Sequence, residues 1–209
     1  MPAGLVADAG RRLTAHGDYD AVHFPGTDFS GQAADDASFF GCRLERCGMD
    51  GVSLRRARLS ECWLEELHAT SVDAADSTWR DTLVSVRRIG ALLLAGASLS
   101  SVRVLGGRLD LVDLSGSKLR GLAFDGCAIG ELDLGAAEGR GLSLEGCDVE
   151  LLDVTGARLS AVDLTGAAIG AVKGVDGLRG AVITPAQLVD IAPLMAAHLG
   201  LKVREADER

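Results

Sequence analysis

The residues of this chain that could carry chemistry are few, and their spacing matches no common catalytic or metal-binding motif. His16, Asp18, Asp20 and His23 resemble a loose set of metal ligands, but they fit a solvated segment near the N-terminus better. The chain has no G-x-S-x-G, G-x-x-x-x-G-K or H-E-x-x-H motif and no convincing G-x-G-x-x-G. The sequence therefore predicts a protein that is not an enzyme and that uses no metal or other cofactor.

The cysteines point to structure rather than to chemistry. They form no C-x-x-C pair, and their odd number argues against a disulfide framework. All five fall at the same position of a five-residue frame, which scattered residues would do roughly once in six hundred trials. We therefore interpret them as small buried hydrophobic residues: Cys42, Cys47, Cys62, Cys127 and Cys147.

A five-residue period runs without a break from residue 24 to residue 169. Every fifth residue gives thirty positions, of which twenty-six are Leu, Ile, Val, Phe, Met or Trp and three are Ala. The cysteine column stands two residues before these positions, and a Gly-rich column, suited to corners with positive φ, stands two residues after them. A period of five fits neither an α-helix nor an alternating strand. We expect a coil with a corner every five residues.

This repeat resembles that of the pentapeptide-repeat family. The family motif A-(D/N)-L-x-x is matched closely by V-D-L-T-G at residues 162–166 and by L-D-L at residues 132–134. The resemblance implies an all-β solenoid, a right-handed quadrilateral parallel β-helix with four pentapeptides per coil, about 36 Å long at strand spacing. We expect an N-terminal cap segment over residues 1–21, the β-helix over 22–183, and a C-terminal helix with a charged tail over 184–209. The motif is weakest at residues 67–69, 72–74 and 87–89, where irregularity is expected.

The C-terminal segment carries the signals of an α-helix. Thr184 and Gln187 predict a capping box around Pro185 at the first helical position. Pro193 is expected to split or bend the helix, and Gly200 to end it. Because its register is unbroken, the chain resembles the loopless family members that inhibit DNA gyrase in mycobacteria and confer fluoroquinolone resistance.

That resemblance implies a homodimer in which the C-terminal helices join two rods. The expected interface residues are Leu188, Ile191, Leu194, Met195 and Leu199. The alternative is a helix that only caps the last coil of its own rod.

Charge is spread unevenly over the chain, whose net charge is −9. Residues 110–165 hold eleven acids and four bases, whereas residues 40–109 hold eight acids and ten bases. The negative balance argues against direct nucleic-acid binding, which needs an excess of Lys and Arg. With twenty residues per coil, acids form columns on three sides, and the fourth side is basic through Arg58, Arg80, Lys118, Arg120, Arg140 and Arg158. The candidate partner-binding acids are Asp113, Asp125, Asp133, Glu145, Asp148, Glu150 and Asp153.

These features leave two functional hypotheses open. In the first, the resemblance implies a DNA mimic that binds DNA gyrase or topoisomerase IV and modulates it or protects it from quinolone-like inhibitors. In the second, the rod is a protein-interaction scaffold with no topoisomerase link, favoured by outward-facing apolar residues: Trp63, Leu83, Leu93, Leu105 and Leu111. An acidic surface that only solvates the rod is a third possibility. No signal peptide or membrane-spanning segment is visible, which predicts a cytoplasmic protein with no membrane partner.

Overall fold

The computed structural model describes residues 5–7 and 10–203 of the chain. Outside the described residues lie 1–4, 8–9 and 204–209. They include the start of the expected cap segment and most of the charged tail. The described chain forms a parallel β-solenoid of about eight coils followed by one α-helix. The expected fold class is confirmed.

The strands are short in the first coils and longer afterwards, where they continue through corners. The short strands are β1 (Val6–Ala7), β2 (Asp18–Asp20), β3 (Val22–Pro25), β4 (Ser38–Phe40), β5 (Arg43–Glu45), β6 (Val52–Ser53) and β7 (Arg58–Ser60). The longer strands are β8 (Trp63–Asp73), β9 (Thr78–Leu93), β10 (Ser98–Leu105), β11 (Arg108–Asp113), β12 (Lys118–Asp125), β13 (Ala128–Asp133), β14 (Glu138–Glu145), β15 (Asp148–Asp153), β16 (Arg158–Asp163) and β17 (Ala168–Lys173). A 3-10 helix (Val175–Leu178) and helix α1 (Pro185–His198) follow.

β1 pairs with β3 at an offset of sixteen residues, but from β2 onwards the regular offset is twenty, so that four pentapeptides make one coil. The offset already holds for β2, which pairs with β4, and regular pairing therefore begins inside the segment expected as a cap. Among the described residues, every non-glycine residue with a positive φ, such as Asp36 or Ala136, lies in the five-residue register of the corner glycines. The corners therefore fall where the Gly-rich column predicts them.

The regular register breaks near Leu67, as the weak motif predicts. Strand β8 shifts against β9 so that Leu67 pairs with Val86 instead of Arg87. Arg87 occupies a position of the inward cysteine column, where an unpaired charge would be costly to bury. The shift places Val86 in the interior and leaves Arg87 exposed. Residues 72–74, also expected to be irregular, keep the regular offset, as the pairing of Val72 with Leu92 shows.

The two inward columns fill the interior of the solenoid. Phe24, Leu109 and Leu134 are fully buried, and all five cysteines are buried and free, which confirms their interpretation as small core residues. Near the N-terminal end, Tyr19 stacks on Phe39 with 4.7 Å between ring centroids. The core leaves the outward side chains as the surfaces available to a partner.

Helix α1 begins with the predicted capping box and closes the C-terminal end of the solenoid. Gln187 accepts a hydrogen bond from the Thr184 backbone, and its Nε2 donates to the carbonyl oxygens of Leu164 at 2.7 Å and Ala167 at 2.8 Å. The helix runs through Pro193, so it is not split there, and the alternative expectation of a bend stays a prediction. Proline has no N–H to donate to the carbonyl four residues earlier, that of Val189, and Val189 lies on the exposed side of the helix. No helix in the described part of the chain is long and apolar enough to cross a membrane.

Candidate partner-binding surfaces

Three of the seven predicted acids form one continuous column. Asp113 pairs with Asp133, and Asp133 pairs with Asp153, in successive coils. Each Oδ1 also accepts a hydrogen bond, at 2.7–2.9 Å, from the backbone N–H two residues later. These Asx turns stabilise the corners, a role that the sequence analysis did not assign to the aspartates. The Thr155 hydroxyl donates to Asp153 and is the main reason why the pKa of that carboxyl lies below its ordinary value.

Asp125 and Glu145 form a second column at a different corner. They pair directly in successive coils, and both are exposed. Arg103 Nη2 lies 3.6 Å from Asp125 Oδ2, whereas Glu145 forms no ion pair with any described residue. Two carboxylates directly opposite one another repel, so this column concentrates negative charge at a cost to the fold.

Asp148 and Glu150 lie on β15, on a third side of the rod. Glu150 is partly neutralised by Arg108, whose Nη2 lies 3.3 Å from Glu150 Oε1 and whose Nε lies 2.7 Å from Asp110 Oδ1. Asp148 is exposed and forms no ion pair within the described chain. The seven predicted acids are therefore spread over three sides and do not form one compact patch.

The fourth side of the rod is basic, as the spacing of twenty residues per coil predicts. Lys118 and Arg158 flank Glu138 in the ladder, and Arg158 Nη1 lies 3.0 Å from Glu138 Oε1. In the neighbouring outward column, Arg120 pairs directly with Arg140. All four bases of residues 110–165 thus lie on this side.

The apolar residues expected on the surface are less accessible than their outward positions in the repeat predict. Trp63, Leu83, Leu93, Leu105 and Leu111 are all half-buried. Trp63 pairs directly with Leu83, so residues stacked in adjacent coils cover part of one another. The expectation of a freely exposed apolar surface formed by these five residues is wrong.

The predicted dimer residues divide into one that packs on the rod and four that face solvent. Ile191 packs against the core, whereas Leu188, Leu194, Met195 and Leu199 are 40–67% exposed. A groove of about 340 Å³ runs between α1 and the 3-10 helix, and Leu188, Met195 and Leu199 are among the residues that line it. An apolar surface of this kind is suited to a partner of matching shape.

His23, one of the residues considered as metal ligands, has an ordinary structural partner. His23 Nε2 lies 3.0 Å from Glu45 Oε2, on the outside of a coil. In the part of the chain that the structure describes, no three His, Cys, Asp or Glu side chains gather in a way that could hold a metal ion. Burial raises the pKa of the Cys47 thiol to about 11, which leaves it protonated at neutral pH.

Comparisons with known proteins found similar solved structures at low sequence identity. No family model and no curated protein sequence matches the chain. One similar solved structure is HetL, a pentapeptide repeat protein involved in heterocyst differentiation regulation from the cyanobacterium Nostoc sp. strain PCC 7120. The sequence identity is 21%, the match covers 84% of this chain and 92% of HetL, and the TM-score is 0.32. Another is a trypsin-treated form of QnrB1, a plasmid-mediated fluoroquinolone resistance protein, with 17% identity, coverage of 97% and 100%, and a TM-score of 0.37. With its own five-residue register and twenty-residue coils, the chain has the fold of a pentapeptide-repeat β-helix.

Proposed function

We propose that this protein is a non-enzymatic, cytoplasmic DNA mimic that binds DNA gyrase or topoisomerase IV and modulates the enzyme or protects it from quinolone-like inhibitors. The observation that carries the proposal is the charge of residues 110–165, which have eleven acids and four bases. Because all four bases lie on one side, this segment supplies only acids to the other three sides.

The density of this charge is close to that of DNA. At the spacing of paired strands, residues 110–165 cover about 13 Å of the rod, which gives one net negative charge per about 1.9 Å. Double-stranded DNA carries one charge per about 1.7 Å of its axis. A basic groove shaped for DNA would therefore meet a similar field on this rod. The choice of a topoisomerase rests on the resemblance of the repeat to gyrase-inhibiting family members.

The test is a gyrase supercoiling assay on relaxed plasmid, with and without the protein and with and without a quinolone. We expect inhibition of supercoiling or reduced drug-induced cleavage, and we expect the effect to weaken as salt rises from about 50 to about 200 mM. An unchanged supercoiling rate together with unchanged drug-induced cleavage at micromolar protein would reject the proposal.

We also propose that a second copy of the chain covers the groove beside α1 and forms a homodimer. The exposed Met195 and Leu199 would be buried in that interface, next to the acidic coils. Sedimentation should show a dimer at micromolar concentration, and a monomer for Met195→Glu combined with Leu199→Glu. Val189→Glu is the matched control, because Val189 is 71% exposed and does not line the groove. A monomeric wild-type protein would rule the dimer out.

A protein-interaction scaffold without a topoisomerase link is the second candidate. The stacked pair Trp63 and Leu83, together with the 51% exposed Phe40, favours it because apolar side chains at a surface suit a protein partner. The supercoiling assay separates the two candidates, since a scaffold of this kind leaves gyrase unaffected.

A further inference from the structure

Five bases on the basic side of the rod form no ion pair with a described residue: Arg58, Arg80, Lys118, Arg120 and Arg140. We call Arg80, Lys118, Arg120 and Arg140 the cationic row; all four are exposed, and none forms an ion pair with any residue that the structure describes. Most bases on the other sides are paired, although Arg87 is exposed and forms no ion pair with a described residue. Arg43, Arg55, Arg56, Arg88 and Arg103 each lie within 3.6 Å of a carboxylate. The cationic row is thus free to bind an external anion.

The fold does not require bases at these positions. Arg80 pairs with Ser100, Ser100 with Arg120, and Arg120 with Arg140, so two arginines stand directly opposite one another. Like charges in directly paired positions destabilise a sheet. Ser60 and Ser100 show that a small neutral residue fits the same column. The stacked arginines therefore cost stability that a bound anion would restore.

A depression of about 450 Å³ lies along the cationic row. Its lining includes Trp79, Ser98, Leu119 and Gly139. Gly139 stands in the inward column, whose neighbouring members Leu119 and Leu159 are buried, yet Gly139 is exposed. Its φ is 139°, and a Cβ there would collide with the carbonyl oxygen of Leu119. Because Gly139 has no side chain, the surface beside the cationic row is concave there.

We propose that the cationic row and the depression beside it bind an acidic peptide segment of a partner protein. From Arg80 to Arg140 the row spans three coil spacings, about 14 Å, which is the length of about four extended residues. Glu138 also lines the depression, but its carboxylate lies 3.0 Å from Arg158 Nη1 and is compensated by that base. The limited length of the row suits a short acidic segment. A nucleic acid would need a longer basic surface and would be repelled by the net charge of −9. This inference does not depend on topoisomerase binding, which uses the other three sides.

The test uses fluorescence anisotropy of a labelled hexaglutamate peptide at about 50 mM salt, where exposed charges are weakly screened. The full-length wild-type protein should bind the peptide saturably. Arg120→Gln combined with Arg140→Gln should weaken binding about tenfold, because it removes the two stacked guanidinium groups. The matched control is Arg88→Gln combined with Arg103→Gln, which removes the same charge from paired arginines and should change binding less than about twofold.

Three outcomes would overturn the proposal. One is the absence of saturable peptide binding, and another is an equal loss in both double variants, which would indicate a response to net charge alone. The third is tighter binding of a labelled twelve-nucleotide single strand than of the peptide, with the same dependence on Arg120 and Arg140. Thermal unfolding of each variant checks that the coils remain folded.

Discussion

Glu45 and Glu65 in the first coils occupy the same position of the coil as Asp125 and Glu145 in the later coils, but only the first pair is neutralised. Glu45 pairs with Glu65, and Arg43 Nη2 lies 3.4 Å from Glu45 and 2.6 Å from Glu65. Glu45 also contacts His23 at 3.0 Å and Arg46 at 2.8 Å. Two stacked carboxylates are thus compensated by bases on adjacent positions.

Four coils later, the column is left charged. Asp125 pairs with Glu145, and Ala123 stands at the place equivalent to Arg43. The nearest base is Arg103, 3.6 Å from Asp125 and 62% exposed, so its interaction is weak. Both regions share one coil geometry, which shows that the fold fixes the direction of each side chain but not its charge. The later coils thus keep acids such as Glu145 without a counter-charge among the described residues, and these are the acids that the proposed topoisomerase binding would use.

The largest expected effect comes from removing charge in the later coils while keeping their corners. Asp113→Asn, Asp133→Asn and Asp153→Asn together should weaken topoisomerase binding about tenfold, because three surface charges are lost. Asparagine can still accept the backbone hydrogen bond of each Asx turn, so the midpoint of thermal unfolding should change little. Inhibition of supercoiling and thermal unfolding measure the two properties separately.

The matched control removes three charges from the compensated coils: Asp36→Asn, Glu45→Gln and Asp73→Asn. These acids contact arginines and contribute little net field, so binding should change less than about twofold. An equal loss of binding in both triple variants would mean that only the net charge of the protein matters.

A smaller effect should follow when the compensated arrangement is copied into the acidic coils. Ala123→Arg places a guanidinium beside Asp125 and Glu145, as Arg43 stands beside Glu45 and Glu65, without changing any acid. We expect inhibition about threefold weaker and slightly higher stability, since the stacked carboxylates gain a counter-charge. Ala123→Gln adds similar bulk without charge, and a similar loss of inhibition in that variant would point to a steric cause.

The reverse change should affect stability only. Arg43→Gln leaves Glu45 and Glu65 without their shared base and should lower the midpoint of thermal unfolding by about 2 °C. Arg103→Gln, which loses one longer contact, should lower it less. A larger fall for Arg103→Gln would contradict the comparison between the two regions.

The smallest expected effect is on pH dependence. The hydrogen bond with His23 is the main reason why the pKa of Glu45 lies below its ordinary value of 4.5, and Arg56 lowers the pKa of Asp36 below 3.8 in the same way. Because the unfolded chain binds protons at higher pH than these folded groups, stability is complete above their ordinary pKa values and falls as pH drops through about 4. Urea unfolding at pH 5 and pH 3.5 should show the loss, and His23→Gln should reduce it. Equal unfolding free energies at the two pH values would contradict the assignment.

The fold was predictable because its period is local in the sequence. Each five-residue unit repeats the inward columns and the corner, and even the shift near Leu67 follows from Arg87 in an inward column. The Asx turns of Asp113 and its stacked neighbours could also have been predicted from an aspartate three residues before a corner position. The ion pairs were not, because contacts such as Arg108 with Glu150, forty-two residues apart, depend on side-chain conformation across two coils. The accessibility of Trp63 was misjudged because its neighbours in adjacent coils cover it.

Competition with DNA for gyrase tests the central claim most directly. Labelled duplex DNA bound to gyrase would be titrated with the wild-type protein, and the remaining bound fraction measured by anisotropy. The DNA-mimic account predicts that the protein displaces the DNA, with a midpoint that moves to higher protein concentration as salt rises. DNA that stays fully bound at saturating protein, whether the protein binds gyrase elsewhere or not at all, would contradict it.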